Sequence, residues 1–154
     1  DLGYNYRLTD MQCALGISQL KKLDKFVGRR REIVAKYQKA FGDMPEIILI
    51  KEESFAKSAW HIYPVQFDLN KLGIGRKEIF EQLSQMGIKC QVHHVPVHYM
   101  PFYQKTFAYK KGDFPITEQY YERAITLPLF PKLTDEEVDY VIDAVKEIIN
   151  ANRK

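Results

Sequence analysis

Cysteine is scarce in this chain: there are two, Cys13 and Cys90. They lie far apart inside apolar helical and strand patterns, with no CxxC pair or other metal-like spacing around either, so a disulfide framework and a cysteine metal site are set aside. Buried free thiols are the expected state. Long apolar runs are missing too. None approaches the ~20 residues needed to span a bilayer, and no charged-then-apolar leader precedes the first helix pattern, so a soluble cytoplasmic protein is expected. Charge of one sign is also lacking: 23 basic and 20 acidic residues give a formal net charge of +3. Dispersed as it is, that charge gives no reason to expect nucleic acid, although it is compatible with a phosphate-bearing ligand. No Ser-His-Asp set or pair of carboxylates stands out. No lysine lies in the desolvated or cation-flanked setting that would make its amine a nucleophile.

What is present is the balance of one globular domain, 45% hydrophobic and 28% charged, with no repeat, low-complexity tract or linker across residues 1–154. The chain begins at Asp1, and its first seven residues read as the interior of a loop, so a fragment or a processed chain is expected.

Helix signals are clear at two places. Thr9 and Gln12 form an S/T-x-x-Q capping box, followed by the stripe Met11, Ala14, Leu15, Leu20, Leu23, Phe26 and Val27. Gly28 permits a bend, Ile33, Tyr37 and Phe41 recur every fourth residue, and Gly42 offers a left-handed stop. Thr134 and Glu137 open a last helix with Val138, Val141, Ile142, Val145 and Ile148 inward. Between them, residues 46–51 and 60–68 read as strands, the second placed at an edge or bulged because Pro64 cannot donate to a ladder. Residues 75–87 read as a helix, 88–94 as a strand, and 95–115 as an irregular aromatic segment with a short helix near 102–107. The fold class is α+β, helices packed on a short sheet.

Three stretches could carry chemistry. HHVPVHYMPFY holds His93, His94, His98 and Tyr99. The spacing of His94 and His98 would suit two metal ligands on a helix, but Pro96 between them rules out regular helix. That leaves polar ends of a strand and loop, or a ligand-facing loop at the end of a sheet. Trp60 and His61 open the second strand, either as packing groups or as ligand contacts. Arg29, Arg30 and Arg31 read as a solvated or interface face. In the opening GYNYRLTDMQ, Asn5 and Arg7 project to one side of an extended strip and could clamp a phosphate. Alternatively Asn5 makes a turn and Arg7 a surface ion pair.

The blocks GYNYRLTDMQCALGISQLKKLDKFVGRRREI, VHHVPVHYMPFY and ERAITLPLFPKLTDEEVDYVIDAV resemble, in the same order, the C-terminal part of the DegT/DnrJ/StrS nucleotide-sugar aminotransferases. The similarity runs from Gly3 to about Ile149. It implies the small C-terminal domain of the aspartate aminotransferase-like fold, together with the segment leading into it. The large domain of that family carries the lysine that binds pyridoxal 5'-phosphate, so this chain alone is expected to be inactive. The resemblance also implies a homodimer sharing its cofactor sites, with Asn5 reaching the cofactor phosphate of the neighbouring subunit and Arg7 at the motif's basic position. His93, His94, His98, Tyr99, Trp60 and His61 would border the sugar-nucleotide pocket. Where the family usually reads His-Tyr, this chain has His93-His94. Within the family the similarity points to transaminases that aminate C4 of a UDP-4-keto-6-deoxy-N-acetylhexosamine, with glutamate as donor, on the way to pseudaminic acid. A dehydratase of the same fold and a non-catalytic dimerisation or ligand-binding module are the alternatives. Without the large domain, the N-terminal strip and the first helix face are expected to be disordered or buried in a non-native contact.

Overall fold

The computed structural model describes residues 3–4 and 6–154. The described residues form six α-helices and a small sheet: α1 Asp10–Leu20, α2 Leu23–Phe41, β1 Ile47–Ile48, β2 Tyr63–Phe67, α3 Arg76–Gln85, α4 Pro101–Phe107, α5 Pro115–Arg123, β3 Ala124–Leu127 and α6 Asp135–Asn152. A 3-10 turn, Val97–Tyr99, precedes α4. The sheet is antiparallel in the order β1-β2-β3.

Each expected capping box forms. Thr9 accepts from the Gln12 N–H while Gln12 Oε1 accepts from the Thr9 N–H at 2.9 Å, and Thr134 and Glu137 do the same for α6. The bend between the first two helices falls at Lys21–Lys22 rather than at Gly28, which sits inside α2. Gly42 is not left-handed, with φ −59. Space is what it supplies, because a Cβ there would lie 2.8 Å from the Gln38 carbonyl oxygen. At the end of α3 the left-handed glycine is real: Gly87 has φ +78.

Two strand expectations change. β2 is central, not at an edge, and Pro64 pairs with Thr126 of β3. The Thr126 N–H and carbonyl are both used by Gln91 on its other side, at 2.8 and 3.1 Å, so Pro64 faces it across a pair that exchanges no ladder bonds. On the β1 side the ladder reaches only Gln66 and Phe67, short of the proline. Residues 88–94 form no strand, and their one pairing is the bridge Gln91 to Thr126. The partner of that bridge, β3, and the helix before it went unread in the sequence, although AITL is a β-branched apolar run and Pro115 is a good first helical residue.

On one sheet face Tyr63, Val65, Phe67, Ile125 and Leu127 meet Ile33, Tyr37 and Phe41 of α2, Ile79 and Leu83 of α3 and the inner stripe of α6. Tyr37 stacks on both Phe41 and Tyr63. The Tyr37 hydroxyl donates to the Pro128 carbonyl at 2.9 Å, whereas the Tyr63 hydroxyl is buried with no partner. α5 packs against β2. The arginine run, expected as a solvated or interface face, is half-buried and serves within the chain as a set of struts. Arg29 bonds Asp135 and the Leu133 carbonyl, both at 2.7 Å, Arg30 bonds the Ala59 carbonyl, and Arg31 bonds Glu52 and the Ser58 carbonyl.

α1 is the exception to all this packing. It has no buried residue, and Met11 is 83% exposed. Leu15, Ile17 and Leu20 are exposed with it, continuing the apolar surface of Tyr4, Tyr6 and Leu8. The helix is formed, contrary to the expectation of disorder, and its apolar face is exposed within this chain. Cys13 rides on α1 and is therefore exposed rather than buried, while Cys90 is half-buried, and both are free thiols.

Candidate functional site

The residues singled out in the sequence separate into three places. Asn5 lies outside the described residues. Arg7 is exposed on the extended strip, close to Tyr4 and Tyr6, whose rings stack with centroids 5.6 Å apart.

The second place is closed. His98 is buried, and its Nε2 lies 2.9 Å from Oε1 of the equally buried Glu118. Its ring sits between Tyr99 and Phe114, with centroids 4.4 and 4.8 Å away. Glu118 also accepts from the Gly112 N–H at 2.8 Å and the Phe114 N–H at 3.4 Å. Burial works against the charge of Glu118, yet these donors, Gly112 first and then His98, hold its carboxyl below the usual range. The Tyr99 hydroxyl is buried beside this carboxylate, and burial, then its interaction with Glu118, push its pKa up. His98 is thus a strut inside the aromatic segment, shut away from a ligand, and Glu118, which no sequence pattern marked, organises the loop before α5. Trp60 is likewise a core group. It is 7% exposed at φ +46, edge-on to Tyr63. The strand it was expected to open starts three residues later.

The third place is an open cup of about 320 Å³, lined by His61, Ile62, Lys89, Gln91, Thr126 and the stretch Leu127–Phe130. β3 and the bridge put Thr126 and Gln91 side by side, and Lys89 precedes Gln91 at the two-residue interval that returns to the same face. His93 stands behind this wall. Its Nε2 is 2.9 Å from Thr126 Oγ1 and its Nδ1 3.2 Å from the Tyr120 hydroxyl, so both ring nitrogens are engaged within the chain. His94 beside it is exposed. His61 lines the cup and His93 braces one of its lining residues, Thr126, while His98, Tyr99 and Trp60 do not line it. Lys89, Gln91 and Thr126 were missed because the strand pairing that gathers them was not read.

Bound pyridoxal phosphate needs a lysine amine for its aldehyde and donors for its phosphate. No lysine of this chain is buried, so none has the desolvated setting the first requires. The exposed Arg7 guanidinium suits the second. Among the described residues no cluster of His, Cys, Asp or Glu could hold a metal ion, and no helix is long and apolar enough to cross a membrane.

A short antiparallel sheet packed by helices, preceded by a helix that packs on nothing, is the α+β small C-terminal domain of the aspartate aminotransferase-like fold of pyridoxal phosphate enzymes. The chain belongs to the DegT/DnrJ/EryC1/StrS aminotransferase family, whose model matches residues 1–146. It is 43% identical over 148 residues to the Bacillus subtilis spore coat polysaccharide biosynthesis protein SpsC, covering 96% of this chain and 38% of that protein. It is 34% identical to the Campylobacter jejuni UDP-4-amino-4,6-dideoxy-N-acetyl-beta-L-altrosamine transaminase, covering all of this chain and 40% of that one. The solved structure of Helicobacter pylori PseC, an aminotransferase involved in the biosynthesis of pseudoaminic acid, superposes with a TM-score of 0.84 at 30% identity, over 98% of this chain and 40% of that chain. The chain thus spans about two fifths of the length of these relatives.

Proposed function

We propose that this chain is the small-domain part of a pyridoxal phosphate-dependent aminotransferase that moves an amino group from glutamate to C4 of a UDP-4-keto-6-deoxy-N-acetylhexosamine. The observation that carries the reading is α1. A capped helix with Met11, Leu15, Ile17 and Leu20 all exposed is a surface made to be covered, and it adjoins the strip that bears Asn5 and Arg7. Its cover is a large domain and a second subunit, whose cofactor phosphate Asn5 and Arg7 reach. When bound, the cofactor supplies the electron sink and carries the amino group between donor and acceptor. Residues of this chain bind and orient: Arg7 at the phosphate, and His61 with exposed His94 at the edge of the sugar-nucleotide pocket. The 154 residues contribute no lysine to the reaction, so on their own they do not transaminate.

The test compares the full-length protein with this chain. Full-length protein given pyridoxal phosphate should show the visible absorbance of a lysine-bound cofactor and convert glutamate plus the keto sugar into 2-oxoglutarate plus the 4-amino sugar. This chain should do neither. Stoichiometric cofactor capture by a lysine of this chain, or a full-length protein that dehydrates the sugar without amino transfer, would overturn the reading.

A further inference from the structure

We propose that residues 97–113 form a lid that swings away from the domain as one body, with the Glu118 carboxylate as its latch. The device rests on the geometry of this chain and stands whatever reaction the full-length protein catalyses.

The segment is packed within itself. Four of its rings, Phe102, Tyr103, Phe107 and Tyr109, neighbour one another in turn, with centroids 5.4 to 6.1 Å apart. Among the described residues, no backbone hydrogen bond joins it to the sheet or to α2, α3 or α6. α4 has no buried residue, and no residue of the segment belongs to the hydrophobic core. What ties it down is one group. Glu118 Oε1 lies 2.9 Å from His98 Nε2, near the start of the segment, and accepts from the Gly112 N–H at 2.8 Å, near its end. Gly112 has φ +100, a conformation that favours glycine, and in it the N–H meets the carboxylate. The ion pair Lys111–Glu122, at 3.3 Å, also crosses to α5, but it is exposed on both sides and worth little. Beneath the latch the segment rests on the ring of Phe114, 4.8 Å from His98 and 5.3 Å from Tyr109. Few buried apolar contacts, and a hold concentrated in one carboxylate, make a unit that opens at less cost than global unfolding. Opening uncovers His98 and Glu118, each 6% exposed when latched. The chain enters the lid shortly after His93 and leaves it into α5, whose Tyr120 holds His93, so both attachments adjoin the wall behind the cup.

Two probes read the two ends of the lid. Amide hydrogen exchange by NMR reports Gly112, and diethyl pyrocarbonate labelling located by mass spectrometry reports the His98 ring, with exposed His94 as its reference. In the parent both groups should open to the same extent, and well ahead of the ladder amides of Val65 and Ile125. Glu118→Gln should raise both by about tenfold or more, because hydrogen bonds to a charged acceptor are the stronger kind. Ile148→Val loosens the core alone, since Ile148 is buried in it. That variant should speed the ladder amides about two- to tenfold and leave lid opening unchanged. Gly112→Ala, strained at φ +100, spoils the latch by another route should Glu118→Gln fold poorly. If Ile148→Val accelerates both regions together, residues 97–113 open only with the whole fold. If His98 and Gly112 respond unequally to Glu118→Gln, or not at all, they do not move as one latched body. Each of these results overturns the proposal.

Discussion

Tyr37 and Tyr63 stack on each other with ring centroids 5.4 Å apart in the same core, and both are fully buried. Only their hydroxyls differ, since that of Tyr37 donates to the Pro128 carbonyl and that of Tyr63 has no partner. Replacing each by phenylalanine keeps the ring and its stacking and removes one oxygen. For Tyr37→Phe the loss is one net hydrogen bond, about 1 kcal/mol, rising toward ~2 as the Pro128 carbonyl is left unpaired. A domain of this size loses about 2–4 °C of Tm per kcal/mol, so a fall of about 2–8 °C is expected. For Tyr63→Phe the folded state already bears the cost of a desolvated, unbonded hydroxyl, so Tm should stay the same or rise. Thermal unfolding followed by circular dichroism, with both variants and the parent in one buffer, decides the matter. Equal losses for the two substitutions would refute the reasoning, because they would mean that the Tyr63 hydroxyl is bonded after all. A pH titration of tyrosine absorbance gives an independent check. Burial pushes Tyr63 to about 12 and Tyr37 further up, so these two should ionise after the exposed rings.

The Glu118 carboxyl is held low in the folded chain, so the stability it contributes is present above its unfolded pKa and is lost as pH falls through the lower folded value. Glu118→Gln should therefore lower Tm at neutral pH, and the gap to the parent should close in acid; a gap constant with pH would contradict this. Cys13 is exposed and Cys90 half-buried, with its thiol pushed to about 11 by burial. At pH 8 only about a thousandth of Cys90 is thiolate, so mass spectrometry after alkylation should find Cys13 labelled far ahead of Cys90. If full-length protein protects Cys13, α1 is covered there, and an equally fast reaction in both forms would count against the proposed cover.

Three helix ends were legible because their determinants are local, whereas the break between α1 and α2 and the whole of α5 were not. The Thr9 and Thr134 caps, the glycine after α3 and the stripe of α6 each involve residues within a few positions of one another. The cup was illegible because its wall is assembled by pairing: Gln91 and Thr126 stand 35 positions apart, and neither has a pattern that anticipates the other. The arginine run misled for a related reason, since its partners, Ala59, Glu52, Leu133 and Asp135, come from distant segments. Three of the four histidines were placed in one candidate ligand-facing loop by composition, whereas the structure distributes them. His98 is locked to Glu118, His93 braces a wall, and His61 and His94 face solvent.

Pro64 also sets a limit on its neighbour. The segment 46–51 has enough β-branched residues for a longer strand, yet only Ile47 and Ile48 pair. Carrying the register onward would set Ile50 opposite Pro64, at a position that calls for an N–H the imino ring does not have. The length of β1 is thus written in β2. Exchanging the proline for valine would supply the missing donor and let β1 grow by two residues, whereas no change within 46–51 could achieve the same.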